Sequence, residues 1–494
     1  MHRSPELLYY TFPLIDTAFN LQMKQLVIGI DAGTRSVFER MPMPYLHSLM
    51  KSCVQTELKV DLLSRGWAEQ LSGEYAASSK AFYVFPESNG SRKVTMKYSL
   101  GDMLANIESP PIWRIAESAG AKVGLMNIPT TYPAPSVDGF FVSGAGGGMN
   151  KVAGIPDELC FPKTVVNDLA SIGYLIDLRL GTAGLNDVSE LFDLLEEMID
   201  KRTEAFISLC GRYKVDFGFI AYRALAVLQY LGMSELNALW YRKGLIDKSP
   251  GFEPTAVWAN RAEPFFAKFD ECLKRAIVAL APEHLMITSD HGIGETEYVF
   301  NPNAFLKLHG FQPECLQIRE SLVNSIRKRR RILVHKVAWS RTRAFSDWYS
   351  SAIYINDQTR FSGPVRDSTV DKLVDSICEL WNCDAETQNL GMHAVPYRRY
   401  KKGERFSDLC PDIKIEHERA HFMASASGPF ITKNPNYGPV TDLTGIGGMH
   451  SGNKTPFPFF LTDHKTASLI RNEDPRDLTL VYKLTDRIFT SQLN

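Results

Sequence analysis

Short, continuous apolar runs alternate along the first three hundred residues with longer segments whose apolar positions recur every three or four residues. The runs lie within KQLVIGIDAGT (24–34), AKVGLMNIPTTYP (121–133), VDFGFIAY (215–222) and residues 285–289. Unbroken apolar stretches of this length suit strands buried on both faces of a parallel sheet. Between them, PPIWRIAESAG, VSELFDLLEEMIDKRTEAFISLCGRY and the stretch from Phe265 to Ala281 carry the helical period. RSVFERMPMPYLHSLMKS reads as a helical region broken by its prolines. The alternation predicts an α/β fold: a doubly wound, mostly parallel sheet flanked by helices.

From about Phe305 to Gly428 the pattern changes. Helix and loop signals mix with basic runs, IRKRRRILVHK (326–336) and YRRYKKGER (397–405), and the region reads as an inserted cap folded over the sheet edge. A glycine-rich loop, TGIGGMHSGNKTPF (444–457), follows, and FPFFLTD reads as a late strand or edge segment. The expected organisation is an N-terminal extension (1–23), an α/β core (24–304) with a helical excursion at about 150–213, the inserted region (305–428) and a C-terminal return to the core (429–494). No fixed-period repeat and no low-complexity tract interrupts it.

Composition narrows the class. With 44% apolar residues the chain can bury a large core, and a net charge of −1 gives no global pull toward nucleic acid or a membrane. The eight cysteines are scattered without a CxxC pair, as expected for reduced thiols. The first 24 residues have no continuous apolar core and carry Asp16, unlike a signal peptide or membrane span. These features predict a cytoplasmic protein without a membrane partner; they leave the oligomeric state open.

The chemistry gathers at strand ends. Met286-Ile287-Thr288 runs into Ser289-Asp290-His291-Gly292, so a buried strand delivers a carboxylate and an imidazole to the mouth of the sheet. That pair suits a catalytic transition metal such as zinc; the alternative is a strand-end turn capping a helix. Asp31 closes the first strand. Ser64-Arg65-Gly66-Trp67 precedes Leu71-Ser72-Gly73, and His450 sits in the late glycine-rich loop. With WRIAESAGAKVGLMNIPTTYP, VDGFFVSG, DECLKRAIVAL and CPDIKIE in the intervals, this order resembles the alkaline phosphatase superfamily, in its type I phosphodiesterase/nucleotide pyrophosphatase branch.

The resemblance implies an alkaline-phosphatase-like fold and a hydrolase of phosphate esters that acts on a small phosphorylated substrate such as a nucleotide. It places Asp31, Ser64, Asp290 and His291 around one divalent ion, zinc in the first place with manganese or magnesium as alternatives, and makes Ser64 the nucleophile. A hydroxyl beside such an ion has a lowered pKa and attacks near neutral pH. Aligning Trp67 and Gly73 on the family pattern puts the nucleophile at Leu63, so Ser64 requires a one-residue shift. Members of the family carry a second metal site, with an Asp and a His four residues apart after the strand that here reads DFGFIAY. Here Ala226 and Tyr230 stand there, and of that site only His450 is left. Three outcomes follow. Protein cations replace the second ion, with Arg65 and Arg223 as the substrate-binding candidates; a histidine from the insertion completes the site; or the chain is a non-catalytic ligand- or partner-binding relative. A one-metal sulfatase or phosphonate hydrolase is a further alternative, weakened by the missing Cys/Ser-x-Pro-x-Arg pattern.

Other motifs change less. His417-Glu418-Arg419-Ala420-His421 matches HExxH, but it follows the strand-like DIKIE, whereas a zinc protease needs both imidazoles on one helical face. The basic runs, with Tyr397 and Tyr400 nearby, read as solvated faces before they read as a nucleic-acid surface. SGAGGGMN (143–150) lacks the Lys-Ser/Thr of a phosphate-binding loop, and Asp412 reads as a structural turn residue.

Overall fold

Continuous apolar runs of this length suit burial on both faces of a sheet, and the structure, a computed structural model, assembles them into one of eight strands. It describes residues 22–490 except 88–91, 145–154, 178–184, 323–328, 347–350, 399–401, 418–419, 423–427 and 444–449. The glycine-rich stretches 145–150 and 444–449, together with Tyr400, thus lie outside the described residues. In space the strands are ordered Val54–Gln55, Phe460–Thr462, His284–Thr288, Gln25–Ile30, Phe217–Tyr222, Val123–Pro129, Gly139–Gly144 and Cys160–Phe161. The five from 284–288 to 139–144 run parallel, and antiparallel strands close both edges. This is the mostly parallel, helix-flanked α/β sheet expected from the alternation of elements.

Side chains along Gln25–Ile30 alternate between two apolar layers, as the two-residue period of a strand requires. Leu26, Ile28 and Ile30 enter one layer, under the helices Val188–Tyr213, Ala224–Arg242 and Ala256–Leu280. Val27 enters the other, under Gly66–Ser72, Ile112–Ser118 and Thr479–Thr490. At Gly29 a Cβ would lie 2.6 Å from the Trp67 ring, so the bare backbone lets helix 66–72 press directly on the first strand. Helix 188–213 starts where the Asp187 carboxylate accepts the Ser189 N–H, at 2.6 Å. Its buried face repeats through Leu191, Leu195, Met198, Arg202, Ala205 and Leu209. Helix 256–280 begins nine residues before the expected Phe265, running through Pro264. The missing N–H there is offset by burial of Trp258, Ala262, Phe265 and Phe266 in the same face.

The inserted region is more strand-rich than its sequence suggested. The basic run forms a strand, Arg329–Val337, paired antiparallel with Glu314–Leu322. Its centre, Ile332-Leu333-Val334, is strand-favouring, and this outweighs the charged flanks. A four-stranded antiparallel sheet (Ala344–Phe345, Ala352–Ile355, Ile413–Glu416, His393–Pro396) packs on helix Val370–Cys383 around its own core of Ile353, Ile355, Val374, Ile377 and Trp381. Of the HExxH segment, Glu418 and Arg419 lie outside the described residues; strand 413–416 ends just before His417, and Ala420–Phe422 is again a strand. His417 packs against Phe300 at 5.5 Å between ring centroids. Asp412 is structural, accepting the Ile355 N–H and pairing with Arg360 and Arg398. Among the described residues no helix is long and apolar enough to cross a membrane.

Candidate active site

Three neighbouring parallel strands end at one edge, and each delivers a charged side chain there. Asp31 follows strand 25–30, Arg223 follows 217–222, and Asp290-His291 follow 284–288. This carboxyl edge is where open α/β sheets bind ligands. The ladder extends one residue past Ile30, because Asp31 N–H donates to the Tyr222 carbonyl at 2.9 Å. The next amide, of Ala32, points at Asp290 Oδ1, 3.4 Å away. Gly66 is the second close approach: a Cβ would sit 2.6 Å from the Asp290 carbonyl oxygen, so helix 66–72 abuts the Asp290 backbone.

Asp31, Asp290 and His291 each offer a ligand atom, all within 4.8 Å of one another and all buried. His291 Nε2 lies 3.4 Å from Asp290 Oδ2 and 3.7 Å from Asp31 Oδ1. Its other nitrogen, Nδ1, lies 2.7 Å from the Gly292 carbonyl, which can only accept; the proton is therefore assigned to Nδ1 and the lone pair to Nε2. Burial, then the neighbouring Asp290, raises the Asp31 carboxyl to about 6. Burial raises Asp290 to about 6 as well, against the opposing charge of Lys454. His291 is pushed down to about 3 by burial and by Lys454, so its imidazole is neutral. Two crowded carboxylates and one oriented imidazole lone pair are a donor set that fits a divalent cation with a coordination position left open.

Arg223 is the fourth member. Its Nε is 3.3 Å from Asp31 Oδ2 and its Nη1 is 3.6 Å from Asp177 Oδ2. Burial opposes its charge, but Asp177 and Asp31 outweigh that and hold the guanidinium firmly charged. Asp177 is fixed in turn by Arg202 Nη2 at 3.0 Å and Asn127 Nδ2 at 3.2 Å. Asn127 sits at φ +62°, inside a register break of strand 123–129, which lets its amide also reach the Ala221 carbonyl at 2.9 Å. Arg223 Nη1 is buried without a hydrogen-bond partner, so it has N–H groups to offer an oxyanion.

Ala226 and Tyr230, where the resemblance implies a metal-binding Asp and His, both lie on helix 224–242. Ala226 is fully buried, and Tyr230 places its hydroxyl 3.0 Å from His291 Nε2. With the lone pair on Nε2, the phenol is the donor. His450 N–H donates to the Tyr230 carbonyl at 3.0 Å, and its ring Nδ1 is buried without a partner.

The remaining expected residues are engaged elsewhere. Ser64 donates its hydroxyl to buried Glu69 at 2.5 Å, and no described hydrogen bond links it to the cluster. Arg65 donates to the carbonyls of Phe82, Tyr83 and Met96 and lies over the rings of Tyr83 and Tyr98, a set of contacts that holds the chain together and leaves it outside the cluster. Sequence reasoning missed Lys454. Its strand, Gly452–Thr455, pairs antiparallel with Gly292–Glu295, setting Lys454 opposite Ile293, two residues beyond His291. The only signal in sequence was its place four residues after His450. Beside the site, a cleft of about 900 Å³ is lined by Thr34, Ile293, Thr455 and exposed Phe457, among others.

The sequence pattern of the type I phosphodiesterase/nucleotide pyrophosphatase family matches residues 25–450. No curated protein matches the chain. Among solved structures, the chain is similar to phosphonoacetate hydrolase from Sinorhizobium meliloti 1021 in complex with phosphonoacetate, with a TM-score of 0.51 and 11% identity over 95% of this chain and 96% of that one. It is also similar to murine ectonucleotide pyrophosphatase/phosphodiesterase 5, solved as an inactive variant with AMP, with a TM-score of 0.45 and 14% identity over 95% of each chain. At these identities the likeness is one of fold.

Proposed function

The chain belongs to the type I phosphodiesterase/nucleotide pyrophosphatase family, phosphoric ester hydrolases that depend on metal, and from that premise we propose that it hydrolyses a phosphodiester or nucleotide pyrophosphate at the edge cluster, with one divalent ion. The observation that carries the reading is the buried convergence of Asp31, Asp290 and His291 from two adjacent strands. Zinc suits this mixed oxygen and nitrogen donor set best. An ion held there would supply Lewis acidity toward a phosphoryl oxygen and lower the pKa of a nearby hydroxyl.

The chain's own residues do the rest. Arg223, oriented through Asp177, donates N–H groups to the non-bridging phosphoryl oxygens. Ser64 Oγ attacks phosphorus while its proton passes to Glu69, and the bond to the leaving oxygen breaks. His450, kept neutral because burial lowers its pKa, is assigned to the leaving group. Glu69 passes the Ser64 proton to the departing oxygen; water then attacks phospho-Ser64, giving its hydroxyl to phosphorus and its proton to Ser64 Oγ as the P–O bond breaks. The substrate is a small phosphorylated compound, and the cleft with Phe457 has room for a nucleoside-sized leaving group.

A second reading has its own support: the Ser64 hydroxyl is turned to Glu69, and Leu63 stands where the family pattern puts the nucleophile. Water then attacks directly and no covalent intermediate forms. Ser64→Ala decides between them. With an aryl phosphodiester and zinc-loaded protein, covalent catalysis predicts a loss of about a thousandfold or more in kcat, as for removal of other enzymic nucleophiles. Turnover that survives with a changed pH profile assigns the attack to water. Absence of turnover by the unmodified chain on phosphodiesters, phosphomonoesters and sulfate esters, with metal bound, refutes the hydrolase reading.

A further inference from the structure

Deepening the reading above, on which it rests, we propose that the Lys454 ammonium binds a phosphoryl oxygen of the substrate and, with Arg223, takes the place of the family's second metal ion. Three features of the structure carry this. Backbone register is the first: strand 452–455 is locked against 292–295, which sets Lys454 opposite Ile293, two residues past His291. Tyr83 is the second. Its ring lies 3.6 Å below Nζ, its backbone N–H is tied to the Leu63 carbonyl, and Arg65 rests over the same ring at 5.1 Å. An aromatic face under an ammonium stabilises the charge without consuming its three N–H donors. The third is the missing counter-ion. Among the described residues no carboxylate lies within ion-pair distance of Lys454 and none accepts a hydrogen bond from it, although its charge acts on Asp31, Asp290 and His291 alike. A half-buried, oriented cation with donors unspent is available to an anion.

Charge balance points the same way. Around the site three carboxylates, of Asp31, Asp290 and Asp177, face three protein cations, Arg223, Arg202 and Lys454. With Glu69, the acceptor of the Ser64 proton, the carboxylates outnumber the cations by one, and a single divalent ion leaves a surplus of one positive charge that a phosphate group can neutralise. A second divalent ion would sit against Arg223 and Lys454 with no further carboxylate to offset it.

The test uses the full-length, zinc-loaded chain with inorganic orthophosphate as the probe, read by titration calorimetry, and bound zinc read by atomic absorption. Lys454→Met should weaken orthophosphate binding by about 10- to 100-fold, the usual cost of a lost charge-assisted hydrogen bond. Zinc should stay at one ion per chain in both proteins, and Lys454→Arg should restore most of the affinity. Lys454→Met that binds orthophosphate within twofold of the parent, while Asp290→Asn does not bind it, overturns the role of Lys454 and leaves the one-ion site standing. A parent protein with two zinc ions per chain overturns the replacement, even if the Met variant does not fold. A parent that binds neither zinc nor orthophosphate overturns the site itself, and this proposal with it.

Discussion

The resemblance puts Tyr230 where the family carries a metal-ligating histidine, and its phenol caps the lone pair that the proposed one-ion site requires. The Nδ1 proton of His291 is committed to the Gly292 carbonyl, so the 3.0 Å contact to Nε2 must be donated by the Tyr230 hydroxyl. Burial pushes the phenol pKa well above its ordinary value, and the negative charges of Asp31 and Asp290 push it further, so the group stays protonated and is a poor metal ligand. An incoming cation has to break this hydrogen bond before His291 can coordinate it. A neutral hydrogen bond of this kind contributes about 0.5–1.5 kcal/mol net. Tyr230→Phe should therefore raise zinc affinity by about 2- to 12-fold. The metal-free variant should lose a similar free energy, because Nε2 is left buried without a donor. Zinc affinity is read by competition with a chromophoric chelator, and stability of the metal-free chain by urea unfolding. The signs oppose each other: weaker without metal, tighter with it. Unchanged or weaker zinc binding by Tyr230→Phe would refute the reasoning, because the ion then would not use His291 Nε2, or would use the phenol oxygen itself.

Asp31 and Asp290 have folded pKa values raised from 3.8 to about 6, so between these values the folded chain holds protons that the unfolded chain has released. Metal-free stability must fall as pH rises through that window. His291, lowered from 6.5 to about 3, acts in the opposite direction, as one group against two. Asp290→Asn should thus stabilise the metal-free protein at pH 8 by about 1–3 kcal/mol and abolish zinc binding; urea midpoints at pH 5 and pH 8 test it, and a variant no more stable at pH 8 contradicts it. Protons should also displace zinc from the parent protein below about pH 6. Asp177→Asn removes the counter-charge from Arg202, which is fully buried, and should cost about 3–5 kcal/mol of stability. A denaturation midpoint close to the parent's would show that Arg202 finds another partner.

The sequence exposed those parts of the site that are continuous with a strand. Asp31, Arg223 and Asp290-His291 each follow an apolar run by one or two residues, so predicting the strand also predicts where the side chain emerges. Helix 188–213 was equally legible, because its apolar period is uninterrupted over seven turns. What stayed hidden depends on registers between distant segments. Lys454 reaches the site only because Gly452–Thr455 pairs with Gly292–Glu295, and Asp177 only because Asn127 adopts a left-handed conformation inside a strand. Arg65 has the composition of a phosphate ligand; three carbonyls and two rings absorb it, and nothing local in its sequence announces them. The basic run 329–337 misled for a related reason: its strand state is decided by its partner across the hairpin.

The departures from the two-metal pattern are better understood as one change than as several independent losses. Replacing a His by Tyr230 removes a ligand and places a neutral donor on His291. At position 226, where the resemblance implies an Asp, buried Ala226 brings no carboxylate. Had the histidine stayed beside a charged Arg223 and Lys454, a second ion would meet two fixed positive charges. The set of Ala226, Tyr230, Arg223 and Lys454 is therefore mutually consistent. Under the proposed reading it would exchange a mobile divalent charge for two tethered single ones, Arg223 held by Asp177 and Lys454 by Tyr83 before any substrate arrives.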